Sequence, residues 1–201
     1  MKLYYLAGAC SMAAMISLIE AGLQFEAVSV DRGTRNTSDG KAFSDVNPKG
    51  YVPALVLDNG ELLTENVAVL SYIVSQDQTG KLGPKPGSTE YIRLLEWLAY
   101  VNSEVHKSFG PLFRPDSDEN VRKAAKELIA RRLGFIEKRL DNSQYLMGDN
   151  FSVADAYLFV ILSWRDRVSV SIAEFPHLID YYERIRTRPS VAEALKIQGL
   201  A

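Results

Sequence analysis

The sequence predicts an α/β segment followed by an all-α segment, on three observations. Short apolar strand-like runs alternate with helical ones over the first seventy or so positions. A stretch rich in Gly, Pro, Lys and Asp, Asp77–Ser88, then ends the alternation. Everything beyond it carries helical periodicity with capping signals. The organisation expected is a first domain over residues 1–78 and an all-helical second domain over residues 88–201.

Lys2–Leu6 reads as a buried strand, broken by Gly8, and Ser11–Ala21 as a helix with Met12, Met15, Ile16 and Ile19 at helical spacing and Gly22 at the C-cap position. Phe25–Val30 alternates and reads as a second strand, completing a βαβ unit. Asp31–Ser44 is polar, a surface loop with one turn of helix at most. Asn47-Pro48-Lys49-Gly50 is a turn signature. Pro53 then marks the start of an apolar strand, because it cannot donate to a ladder. Asp58-Asn59-Gly60 predicts a tight hairpin into Glu61–Thr64, and Thr64-Glu65 open a helix over Asn66–Gln76.

In the second segment Ser88 caps a helix reaching about Ser108, interrupted by Gly110-Pro111. Asp116–Leu140 is a long amphipathic stretch with Ser117 or Asp118 as N-cap. Ser152-Val153-Ala154-Asp155 is a capping-box variant opening Val153–Arg165, a helix apolar nearly all round and so expected at the centre of its domain. Pro176 starts a further helix, and Val191–Lys196 a short last one.

Composition excludes several classes of function. The 201 residues carry a net charge of −2, so nothing points to nucleic acid or an anionic membrane. The longest apolar run, Tyr157–Leu162, is far too short for a bilayer, and Met1-Lys2 leads straight into a strand with no signal-peptide pattern. One cysteine and two histidines form no metal-ligand cluster, and a lone cysteine fits a reducing compartment, here taken as the cytoplasm.

That cysteine, Cys10, sits where a strand hands over to a helix N-terminus. Unpaired N–H groups and the positive end of the helix dipole stabilise a thiolate there, so its pKa is expected to fall. Ser11 is the expected N-cap and adds a hydroxyl beside the sulfur. The competing reading is a small buried hydrophobe. Asp155 reads as a structural capping carboxylate.

Ala9-Cys10-Ser11, Asn47-Pro48-Lys49-Gly50 with Val52-Pro53, Thr64-Glu65-Asn66 and Phe151-Ser152-Val153-Ala154-Asp155, in that order, resemble the cytosolic glutathione transferases. Cys10, His106-Lys107 and Phe113-Arg114-Pro115 narrow the resemblance to the bacterial beta class. It implies a thioredoxin-like N-terminal domain, a helical C-terminal bundle that shapes the second-substrate pocket, a homodimer, and glutathione as co-substrate with no further cofactor and no metal. It places Cys10, with Ser11 and His106, at the glutathione sulfur as the catalytic set. Val52, before a cis proline, meets the cysteinyl backbone as an added strand does. Glu65, Asn66 and the amides of the Asn66–Gln76 helix hold the γ-glutamyl end, and Arg35 the glycine carboxylate. Ser103, Glu104, His106 and Lys107 come over the site from the helical domain, with Ser103, His106 and Lys107 on one α-helical face. Tyr5, Phe109, Phe113 and Trp164 are assigned to the second-substrate pocket.

Plain packing or solvated charge competes for several of these residues, among them His106, Lys107, Arg35, Glu65 and the four aromatics. Ala99 departs from the family pattern, standing where relatives often have an asparagine that contacts glutathione. Two other readings stand beside conjugation of glutathione to a small, largely apolar electrophile, and Ala99 bears only on the second. One is a monothiol disulfide oxidoreductase using Cys10; the other is a non-catalytic glutathione-binding module.

Overall fold

The computed structural model describes all 201 residues. Four strands form one mixed sheet: β1 (Lys2–Tyr5), β2 (Glu26–Ser29), β3 (Ala54–Val56) and β4 (Leu62–Thr64), in the order β2-β1-β3-β4. β1 runs parallel to β2, with Leu3 opposite Ala27, and antiparallel to β3, with Leu3 opposite Leu55. The parallel pair is joined by helix α1 (Met12–Glu20), as a crossover between parallel strands requires. A short helix α2 (Phe43–Val46) lies in the loop after β2, and α3 (Asn66–Gln76) spans the residues expected of it. The hairpin between β3 and β4 closes through Gly60 N–H to the Leu57 carbonyl at 3.0 Å, with Gly60 at φ 85°.

The remaining helices are α4 (Thr89–Tyr100), α5 (Gly110–Phe113), α6 (Glu119–Leu140), α7 (Val153–Leu162), α8 (Pro176–Arg186) and α9 (Pro189–Ile197). Between α4 and α5 the chain widens into a π-helical segment, Val101–His106. Ser88 caps α4 by accepting from Tyr91 N–H, and Asp118 caps α6 by accepting from Asn120 N–H.

Every residue of α7 is buried, as its all-round apolar character predicts. α1 packs against α3 on its own side and against α7 and α9 of the helical part. One hydrophobic cluster therefore runs from Leu3 and Leu55 in the sheet through Ile16 to Tyr157 and Tyr181. The loop from β1 into α1, which carries Cys10, is thus held between the two parts of the chain. The Ser152–Asp155 capping box fixes the start of α7. The Asp155 carboxylate accepts from Ser152 N–H and Leu146 N–H at 2.8 Å, Ser152 Oγ at 2.6 Å and Tyr181 OH at 2.9 Å. No helix is long and apolar enough to cross a membrane.

Candidate active site

A cleft of about 750 Å³ opens where the β1–α1 loop faces the segment from His106 to Arg114. Its lining includes Cys10, Arg35, Tyr51, Val52, His106, Lys107, Phe113 and Trp164. Each is placed by local chemistry. Gly8 takes φ 68°, a left-handed conformation that side chains disfavour, and turns the chain out of β1 toward Cys10. The Asn47–Gly50 turn is closed by Gly50 N–H to the Asn47 carbonyl at 2.8 Å. The buried Asn47 side chain also donates to the Tyr51 carbonyl at 2.7 Å. Those bonds present Val52 to the cleft, ahead of a cis Val52–Pro53 bond.

The Cys10 thiol donates to the Val52 carbonyl at 3.6 Å, and Val52 N–H has no partner within the protein. Glu65 sits at the N-terminus of α3 with φ 70°, a conformation that costs about 1–3 kcal/mol in a non-glycine residue and clusters at ligand clamps. Its carboxylate accepts from Lys49 Nζ at 2.9 Å and Tyr51 OH at 3.1 Å. From the helical side, Trp164 Nε1–H donates to the Gly8 carbonyl at 2.8 Å. Its ring stands edge-on to His106 at 4.9 Å and to Phe113 at 5.4 Å.

This arrangement has counterparts. Residues 7–76 match the family model for the glutathione S-transferase N-terminal domain, and residues 95–189 that for the C-terminal domain. Glutathione S-transferase GstA of Escherichia coli O157:H7 is 38% identical over 200 residues, covering 100% of both chains. The chain belongs to the glutathione S-transferase family. A sphingomonad glutathione S-transferase complexed with glutathione superposes with a TM-score of 0.96 at 46% identity, and the beta-class enzyme of Sphingomonas chungbukensis with 0.95 at 46%. Both alignments cover 100% of each chain, so this glutathione transferase falls with the bacterial beta class and has its two-part fold.

Within the transferase several expectations need correction. Ser11 is fully buried, and its Oγ accepts from Leu6 N–H at 3.3 Å instead of capping α1 or facing the cleft. The Asn66 side chain is buried too, donating to the Cys10 carbonyl at 3.1 Å, so it braces the loop beneath the sulfur. Tyr5 turns away to donate to the Ile197 carbonyl at 3.3 Å, and Phe109 is fully buried behind Trp164; neither lines the cleft. Phe113 and Trp164 do. Arg35 lines it as well, its guanidinium bonded to the Gly50 carbonyl and 5.6 Å from the Phe43 ring.

Ser103 and Glu104 are outside the cleft of their own chain. Ser103 is exposed and donates to the carbonyl of Ala99, itself exposed, at 2.9 Å; Glu104 pairs with Arg132. The reason is the π-helical turn. Its i→i+5 bonding shifts which residues share a face, so the α-helical spacing assumed for Ser103 fails. Asn102 takes the inward place, reaching the same hydroxyl as His106.

That hydroxyl belongs to Tyr157, a residue the sequence reading passed over. It donates to Asn102 Oδ1 at 3.0 Å and lies 2.7 Å from His106 Nδ1. A hydroxyl that donates to Asn102 can only accept from Nδ1–H, the tautomer in which His106 Nε2 is an acceptor. Burial, and secondarily the charge of Lys107, pushes the His106 pKa down to about 4, so the ring is neutral at pH 7. Burial also raises the Tyr157 pKa, keeping the phenol protonated. One signal was available: a lone tyrosine in an otherwise apolar buried helix must find a partner for its hydroxyl.

The electrostatics of Cys10 also reverse expectation. The backbone N–H groups of Cys10 and Ser11 and the charge of Lys107 do favour a thiolate. Burial opposes them more strongly and pushes the thiol up to about 11. Cys10 is therefore a thiol at pH 7 and a hydrogen-bond donor. Alkylation by iodoacetamide should show a midpoint near pH 11; a midpoint at or below 8.5 contradicts this. The sign for stability follows. An unfolded thiol ionises first, so raising the pH from about 9 toward 11 favours the unfolded chain.

Proposed function

We propose that the cleft binds glutathione with its cysteinyl backbone along Val52 and its sulfur beside Cys10, and that the thiolate then attacks a small electrophile with an aromatic body. The observation that carries this reading is the unpaired Val52 N–H next to the Cys10 thiol, an open edge for an extended peptide. The γ-glutamyl carboxylate is assigned to the N-terminal amides of α3, which no side chain caps, and its ammonium to Glu65. Arg35 and Lys107 are assigned to glutathione's anionic groups. A donating Cys10 thiol, the amides of Cys10 and Ser11 and the Lys107 charge stabilise the thiolate, while neutral His106 accepts from the incoming thiol. Positioning supplies the rest of the acceleration. Residues 1–78 are assigned to glutathione and 88–201 to the second substrate; no further cofactor or metal is invoked.

The test is calorimetric titration with glutathione, alongside conjugation of an aromatic halide. The Glu65 side chain is half exposed, so Glu65→Ala should weaken binding by about tenfold, or ~1.4 kcal/mol, with little loss of stability. An unchanged dissociation constant reduces Glu65 to a helix-start residue, and absence of glutathione binding in the parent protein overturns the proposal.

We also propose a homodimer and a cytoplasmic location. Trp97 and Tyr100 of α4 meet Phe135 of α6 ring to ring, yet Ile92 is left 58% and Phe135 54% exposed, large apolar side chains suited to a second copy. Light scattering giving the mass of one chain overturns the dimer. The single cysteine supports a reducing compartment.

A further inference from the structure

The cleft is charged in one sense only. Its charged lining is Arg32, Arg35, Lys107, Arg114 and Arg167, beside the uncharged Cys10 and His106, and no Asp or Glu lines it, although the chain as a whole has a net charge of −2. None of those five cations forms an ion pair within the protein. Asp116, two residues after Arg114, is exposed and makes no ion pair with it; the other carboxylates near these cations in sequence or across the cleft are engaged elsewhere. Asp31 accepts from Gly33 N–H, Thr34 N–H and Thr34 Oγ1; Asp166 pairs with Arg165; Glu65 pairs with Lys49. Like charges gathered in a concave site raise the local potential and call for an anion.

Glutathione accounts for part of this charge. On the assignment above it uses Arg35 and Lys107, and its ammonium is matched by Glu65. Of the other three, Arg32 donates to the Ala7 carbonyl at 3.3 Å, and Arg114 and Arg167 stand at the aromatic end. The Arg167 guanidinium lies 5.6 Å from the Phe113 ring centre, and its Nη1 would be 3.6 Å from a Cβ placed on Gly8, so it bridges the cleft from Phe113 to the β1–α1 loop. Arg114 follows Phe113 directly, and its carbonyl is fixed by Arg122 Nη2 at 2.6 Å, while its own guanidinium has no hydrogen-bond partner. Phe113 is 42% exposed and stands at 85° to the Trp164 ring, an apolar corner flanked by these two cations.

We propose that the preferred second substrate is an aromatic electrophile bearing an ionised group, a carboxylate or sulfonate, whose ring packs into the corner between Phe113 and Trp164 and whose anion is held by Arg114 and Arg167. The proposal rests on the glutathione-binding reading above. In the conjugation the glutathione sulfur forms a bond to the electrophilic ring carbon, the halide leaves with the bonding electron pair, and the thiol proton passes to solvent. Guanidinium forks suit a carboxylate or sulfonate because they bind two of its oxygens at once.

The experiment compares a chlorodinitrobenzoate with its uncharged carboxamide, each kcat/KM divided by the uncatalysed rate with glutathione. The parent enzyme should favour the benzoate by about tenfold or more. Its preference should shrink as salt is raised. In the Arg114→Gln/Arg167→Gln double variant, checked for folding by thermal denaturation, it should fall toward unity. Equal use of the two compounds by the parent enzyme, or a preference that survives in the double variant, overturns the proposal. Glutathione titration reads the underlying function separately. Conjugation of both compounds without preference, with glutathione bound, defeats this inference alone; absence of glutathione binding defeats both.

Discussion

Replacing Asp155 by alanine is expected to lower folding stability by about 3–5 kcal/mol. The side chain is fully buried and takes four donors: two backbone N–H groups, the Ser152 hydroxyl and the Tyr181 hydroxyl. Alanine leaves three of the four without an acceptor inside the protein and Tyr181 OH with only the residue-155 carbonyl at 3.5 Å, and each unsatisfied buried group costs about 1–3 kcal/mol before relaxation. It also dismantles the capping box that starts α7, the helix on which Tyr157 is carried and after which Trp164 follows. Denaturant unfolding measures the effect. A loss below about 1 kcal/mol would show that water or a rearranged Ser152 replaces the carboxylate at little cost.

Trp164→Ala is the second large effect, expected at about 3–5 kcal/mol by the usual cost of deleting a buried aromatic. Trp164 is 6% exposed and touches the rings of His106, Phe109 and Phe113. Its indole N–H is also one of the direct bonds between the helical part and the loop that bears Cys10, alongside Gly8 N–H to Gln198 Oε1 at 2.9 Å. The loss should therefore appear twice, in unfolding free energy and in weakened glutathione binding as the loop loosens. Trp164→Phe separates the two contributions. It keeps an aromatic ring against His106 but leaves the Gly8 carbonyl unpaired, and should cost about 1–2 kcal/mol. An alanine variant within about 1 kcal/mol of the parent would mean that Trp164 lines the cleft without holding it.

The elements of the fold were legible because their signals are local. Gly8, Asn47–Gly50, Asp58-Asn59-Gly60 and the Ser152–Asp155 box each demand one backbone solution, and the apolar period of 66–76 and 153–162 leaves little choice of face. The site was less legible, and each failure has a physical cause. The shared face expected of Ser103, His106 and Lys107 rests on α-helical spacing, but the chain there is π-helical, a deviation no propensity scale marks. The expectation for Cys10 rests on the helix N-terminus, whereas desolvation depends on neighbours distant in sequence, which also supply the Val52 carbonyl that accepts the thiol's hydrogen bond. Tyr5 and Phe109 are aromatic and near the site in sequence, yet which way a ring turns depends on tertiary partners such as the Ile197 carbonyl and Trp164. The cationic lining escaped notice because Arg32, Arg114 and Arg167 are far apart in the chain and individually look like solvated charges.

The central claim is that the reacting sulfur belongs to glutathione, with Cys10 as a protonated neighbour that donates to it. A paired assay on Cys10→Ala tests this most directly: conjugation of an aromatic electrophile and reduction of a small disulfide, on a variant whose folding and glutathione affinity have been checked. Conjugation needs only the glutathione thiolate, which the backbone amides, Lys107 and His106 still attend; losing one thiol donor should slow it by on the order of tenfold, ~1.4 kcal/mol of transition-state stabilisation. Mixed-disulfide formation at residue 10 and any exchange activity should disappear. If conjugation is abolished in a folded variant that still binds glutathione, Cys10 is indispensable to the reaction and the role given to it here is wrong.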